Sequence, residues 1–124
     1  MQTLPKCERL CGKERIGELF AQGGRAVNGT VAARSMPNNS ETSRLAAVAG
    51  KALGNAVLRN RMKRRIRAAY RLQKNNVPAG FDFVLMARKG LAEALWEDVK
   101  RDVKKAAERS ARETCGRHRS GPNQ

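Results

Sequence analysis

Aromatic side chains are scarce in this chain: one Trp, one Tyr and three Phe, 4% of 124 residues. A core with so few rings must be built from small aliphatic groups, and a ring near the surface then calls for a reason. Acids are also scarce, 11 against 26 Lys and Arg. After Glu41 the next acid is Asp82, and the one after that is Glu93. A protein nuclease gathers carboxylates around metal ions, and a lone Asp82 does not make such a site. No apolar run approaches the roughly 20 residues that span a bilayer. The first residues, Met-Gln-Thr-Leu-Pro-Lys-Cys-Glu, carry no apolar stretch of the signal-peptide kind. The expectation is a cytoplasmic protein without a membrane partner. Three cysteines, an odd number, argue against a disulfide framework. The single histidine, His118, sits between Arg117 and Arg119 with no positioned partner for acid–base work.

What the chain has in excess is positive charge. Its formal net charge is +15 and its pI near 11.1. The interval between Glu41 and Asp82 carries Arg44, Lys51, Arg59, Arg61, Lys63, Arg64, Arg65, Arg67, Arg71 and Lys74. From Leu58 onward, at 100° per residue, Leu58, Met62, Ile66, Ala69 and Tyr70 share one sector of about 120°. Asn60, Lys63, Arg64, Arg67, Arg71 and Lys74 fall opposite. Cations at helical spacings of three and four repel one another. A row of them without interleaved acid implies that a partner supplies the negative charge. Nucleic acid is the first candidate and an anionic membrane surface the second. The apolar stripe is sized for a protein core, whereas an interfacial membrane helix wants bulkier residues.

The length suits one domain. Residues 1–8 read as a tail, 9–110 as the folded domain and 111–124 as a disordered basic tail. Residues 13–22 read as a helix with Ile16, Leu19 and Phe20 at helical spacing, ended by Gly23-Gly24. Residues 26–36 read as a strand, 37–43 as a loop and 44–49 as a second strand. Asn55 is placed to cap the basic helix, which runs to about residue 74. Residues 75–80 break it. Residues 81–87 read as a central strand, apolar on both faces towards its end. A final helix begins after Lys89-Gly90, with Leu91, Leu95, Val99, Val103 and Ala107 spaced by four, and frays over 108–113. This order gives an α+β class, a small mixed sheet with helices packed against it.

The run Gly54-Asn55-Ala56-Val57-x-Arg59-Asn60-Arg61-x-Lys63-Arg64-x-x-Arg67 resembles the signature of the protein subunit of bacterial ribonuclease P. Flanking features are similar as well: Arg9-Leu10, Lys13, Leu19-Phe20 and Gly23 before it, Arg44 and Lys51 on its approach, and Asp82 to Arg88 after it. The resemblance covers about residues 9–107. It implies a fold like domain 2 of ribosomal protein S5 with a left-handed βαβ crossover. It implies an endoribonuclease subunit of a ribonucleoprotein that removes the 5′ leader of precursor tRNA. The partners implied are the catalytic RNA, one protein per RNA, and precursor tRNA. Catalysis and its magnesium ions belong to the RNA.

On that resemblance Lys51, Arg59, Asn60, Arg61, Lys63, Arg64, Arg67 and Arg71 are the candidate RNA-binding residues. Guanidinium forks suit phosphate oxygens. Lys13, Ile16, Phe20, Ala32 and Arg34 are the candidate leader-binding cleft, between the first helix and the sheet. Ile16 and Arg34 stand where the family often has aromatics, so Phe20 is the main ring, and Ala52 replaces a common Lys. Core packing is an equal reading for Ile16 and Phe20. Cys7, Cys11, Cys115 and His118 form a conceivable zinc set, but neither spacing is a signature, and reduced thiols are expected. The alternative function is a structural ribosomal or RNA-chaperone-type RNA-binding protein, which needs the charge but not the cleft. A DNA-binding module is weaker still, because no second helix stands at helix-turn-helix spacing before the basic one.

Overall fold

The computed structural model describes residues 9, 10 and 12–120, the last six by backbone alone. Three helices, α1 (Lys13–Gln22), α2 (Ala56–Gln73) and α3 (Trp96–Ser120), accompany four strands: β1 (Gly24–Asn28), β2 (Val31–Pro37), β3 (Arg44–Val48) and β4 (Phe81–Ala87). Single 3-10 turns at Lys51–Leu53 and Lys74–Asn76 bracket α2. The strands form one sheet in the order β1-β2-β4-β3. β1 and β2 are antiparallel, as are β2 and β4; β3 lies parallel to β4 and reaches it through α2. The α+β class and small mixed sheet expected from sequence are those observed.

Alternation along the strands sorts the sheet into two faces. Val31 and Ala33 of β2, Leu45 of β3, and Phe83 and Leu85 of β4 are buried on one face with Met62, Ile66, Ala69 and Tyr70 of α2. Val99, Val103, Ala106, Ala107 and Ala111 of α3 complete that core. Small residues at 106, 107 and 111 let α3 approach the sheet closely. On the other face, Leu10, Leu19 and Val84 form a lesser cluster flanked by Ile16, Met36, Ala46, Val48 and Met86. Among the described residues, α1 and the stretch at Leu10 cover this second face, so the sheet is more thickly clad on the side of α2 and α3.

Three expectations need correction. The single strand expected at 26–36 is a hairpin, β1 and β2, because Asn28 and Val31 pair across a two-residue turn. Gly29 takes φ +60°, the left-handed geometry such turns require. The last helix starts at Trp96 rather than Leu91. Residues 90–94 form turns instead, although Leu91 is fully buried. The same helix does not fray at 108–113: it runs to Ser120, with Ser110, Ala111 and Thr114 buried against the fold. Cys7 and Cys11, and the side chains of Cys115 and His118, lie outside the described residues, and with them the zinc set.

Candidate nucleic-acid interface

α2 begins where the sequence places it. The Asn55 side-chain Oδ1 accepts from the Leu58 N–H at 2.9 Å, filling one of the orphan donors of the first turn. Met62, Ile66, Ala69 and Tyr70 then fall on the buried side. That anchorage aims the polar side outward. Asn60, Arg61, Arg64 and Arg67 are exposed, and Lys63 and Arg71 are half-buried. Arg59 is half-buried too, its Nε donating to the Gly54 carbonyl at 3.1 Å. Lys51 is exposed on the turn before α2. The 18 residues of α2 hold seven cations and no acid.

Arg65 turns back into the fold. Arg65 donates from Nη1 to the carbonyls of Leu91 (2.6 Å) and Ala92 (3.0 Å), and from Nη2 to that of Ala94 (2.7 Å). Its guanidinium carbon also lies 5.9 Å from the Trp96 ring centre. Arg65 therefore holds the turns that lead into α3.

The exposed surface of α3 is built differently. Lys100 pairs with Glu97 at 3.1 Å and Arg101 with Asp98 at 3.0 Å. The 620 Å³ pocket between α2 and α3 is lined by both signs, Glu97 and Glu108 beside Lys100, Arg101, Lys104 and Lys105. α3 thus interleaves acids with its cations, whereas α2 has no acid in its row.

The second set of candidates lies on the opposite face of the sheet. Phe20, at the C-terminal end of α1, is 39% exposed despite being one of the few rings. The Arg34 guanidinium carbon sits 5.7 Å from its ring centre, and Arg34 Nη1 donates to the Phe20 carbonyl at 2.6 Å. Ala32 and Arg34 share a face of β2, opposite Met86 and Val84 of β4. Ile16 packs beside Leu19 and Val84, so its role is at least partly that of a core residue. Lys13 opens α1 and is exposed. Beyond Phe20 the sheet face stays open as a shallow pocket of about 400 Å³ lined by Arg25, Val27, Ala32, Arg34 and Met86. Sequence reasoning does not single out Arg25, Val27 and Met86. Arg25 and Val27 pair with Arg34 and Ala32, a relation that reading 26–36 as one strand conceals.

At the other end of this face lies the carboxylate of Asp82, fully buried. Its Oδ1 accepts from Arg44 Nε (2.8 Å) and Asn38 Nδ2 (2.9 Å), its Oδ2 from Arg44 Nη2 (2.6 Å) and Arg15 Nε (2.8 Å). Burial alone would push this carboxyl up, but the donors from Arg44, Asn38 and Arg15 hold it below the ordinary carboxylate value. With its four acceptor positions filled, Asp82 has nothing left to offer a cation. Among the described residues, no three His, Cys, Asp or Glu side chains gather in a way that would hold a metal ion. No described helix is long and apolar enough to cross a membrane.

Comparison with known proteins agrees with this geometry. The ribonuclease P protein family profile matches residues 4–111. The ribonuclease P protein component of Petrotoga mobilis is 40% identical over 91 residues, 73% of this chain and 77% of its own. That of Bacillus cereus is 31% identical over 101 residues, covering 81% and 88%. The solved ribonuclease P protein of Thermotoga maritima superposes with a TM-score of 0.75 at 28% identity, over 82% of this chain and 96% of that one. The chain belongs to the bacterial ribonuclease P protein family, the protein components of a tRNA-processing ribonucleoprotein that has an RNA subunit as partner.

Proposed function

We propose that this protein binds two RNAs at once: the catalytic RNA along α2, and the 5′ leader of precursor tRNA in the cleft between α1 and the open sheet face. The observation that carries the reading is the placement of an acid-free cationic helix and an exposed ring–guanidinium pair on opposite faces of one thin sheet. Arg61, Arg64 and Arg67 neutralise phosphates of the catalytic RNA, assisted by Lys51, Arg59, Lys63 and Arg71. Asn60, able to donate and accept, contacts sugar or base edges. In the cleft Phe20 stacks on an unpaired base. The Arg34 guanidinium supports that ring or holds a leader phosphate, and Lys13, Ile16 and Ala32 line the approach.

On this reading the hydrolysis and its magnesium ions reside in the RNA, with one protein per RNA, in the cytoplasm. The protein raises the affinity for substrates that carry a leader and lowers the repulsion between two polyanions. The test is reconstitution with a bacterial ribonuclease P RNA at low magnesium, following 5′ cleavage of a precursor tRNA at several salt concentrations. Strong stimulation at the mature 5′ position is expected. A folded protein that leaves cleavage by the cognate RNA unchanged would overturn the reading.

A further inference from the structure

α1 is a ten-residue helix whose apolar contact with the sheet centres on Leu19. So small a contact does not by itself fix the pose of a helix. Leu10, buried and donating its N–H to the Leu45 carbonyl at 2.8 Å, anchors the chain just before α1, and two polar ties hold the helix itself, one near each end. At the C-terminal end, Arg34 donates to the carbonyl of Phe20. Towards the N-terminal end, Arg15, four residues before Leu19 and hence on the same side, reaches across the sheet. Its Nε donates to Asp82 at 2.8 Å and its Nη2 to the Pro37 carbonyl at 3.0 Å. Asp82 is in turn gripped from β3 by the fork of Arg44 and from the loop after β2 by Asn38. One buried carboxylate thus joins α1, β3, β4 and that loop.

We infer that Asp82 is a positioning residue for the leader cleft, setting the height and tilt of α1 over the sheet through Arg15. The inference rests on the reading of that cleft as the leader site. It also accounts for two cations. Arg15 and Arg44 turn their guanidinium groups inward to Asp82, so their charge serves the cleft wall rather than phosphate binding.

The test uses the full chain assembled with its catalytic RNA. Affinities for leader-bearing precursor and for mature tRNA are measured for the wild type, Asp82→Asn and Arg15→Met. Asp82→Asn sets an amide N–H where a carboxylate oxygen met a guanidinium. Arg15→Met removes only the tie to α1 and leaves the Arg44–Asp82 pair intact. Losing the Arg15 hydrogen bonds to Asp82 and the Pro37 carbonyl is expected to lower the preference for precursor over mature tRNA by about tenfold. Affinity for the catalytic RNA should not change, since α2 lies on the other face. A melting temperature that falls while the precursor preference stays at the wild-type value in Arg15→Met would overturn the inference and leave Asp82 a purely structural group. Arg15→Met decides the matter even if Asp82→Asn fails to fold. A wild-type protein without precursor preference would instead strike at the proposed function, so the two failures are distinguishable. A nuclear Overhauser contact between the Leu19 and Val84 methyls, weakened in Arg15→Met, would report the shift of α1 without any RNA present.

Discussion

The Arg34 guanidinium covers the exposed Phe20 ring at 5.7 Å and donates to the Phe20 backbone carbonyl at 2.6 Å. The side chain of one strand thereby fixes both the main chain and the ring at the end of α1. Replacing Phe20 with Ala should cost about 1–3 kcal/mol of binding to leader-bearing precursor, the worth of one stacked base. Mature tRNA should bind almost as before. Equal losses for both ligands, measured by equilibrium titration, would make Phe20 a packing residue.

Arg64 and Arg67 are exposed on an acid-free helix. Replacing both with Ala should weaken assembly with the catalytic RNA and flatten its salt dependence. Each phosphate no longer neutralised removes about 0.7–0.9 from the slope of log affinity against log salt. A slope that stays at the wild-type value in the double variant would exclude these two residues from the phosphate-binding set.

Arg65 stands in the same row of cations, yet its donors end on the carbonyls of Leu91, Ala92 and Ala94. Arg65→Ala removes three side-chain hydrogen bonds to those carbonyls, of which Leu91 keeps the Ala94 N–H. The expected cost is about 2 kcal/mol of folding stability, seen in denaturant titration, with the salt slope of RNA binding intact. The opposite pattern, a stable protein with a reduced slope, would return Arg65 to the RNA-binding set.

Two buried carboxylates link stability to pH. Asp82 is held below its ordinary 3.8 as described. For Asp102, burial alone would raise the value, but the Thr30 N–H and hydroxyl and the Asn28 amide hold it down. Both groups are more acidic folded than unfolded. Their stabilisation is complete above the unfolded value and drains away as pH falls through the lower folded ones. The melting temperature should therefore be nearly flat around neutrality and drop below about pH 4. Asp102→Asn should lower the plateau and shrink the acid drop; an undiminished drop would place the acid-sensitive group elsewhere.

How much of the fold and of the site is legible in the sequence depends on the reach of each interaction. α1 spans the residues that periodicity indicates, Lys13–Gln22, and Asn55 caps α2, because helices and caps are made by residues within four positions of one another. β4 is central, as its doubly apolar end suggests. The hairpin is hidden because Val27 and Val31, four apart, look like one face of a single strand. The turn at Gly29 instead puts Val27 on the open face, 49% exposed, and Val31 in the core at 0%. The cations of α2 are legible as a row. That Arg65 leaves the row is not, since its partners are backbone carbonyls 26–29 residues away, and carbonyls have no sequence signature. The Arg15–Asp82 tie spans 67 positions and is equally invisible.

At the start of the hairpin, the Gly24 N–H does not reach β2 directly: it donates to Thr114 Oγ1 at 2.7 Å, and that hydroxyl donates onward to the Ser35 carbonyl at 2.7 Å. Glu113 accepts from the neighbouring Arg25 N–H, and Arg109 donates to the Val27 carbonyl on the same strand. The outer edge of β1 is thus finished by residues some 90 positions later in the chain. On the ribosome, β1 and β2 emerge long before the groups that complete them. Their closing step must wait for the last helix, so this part of the fold assembles late and with a high contact order.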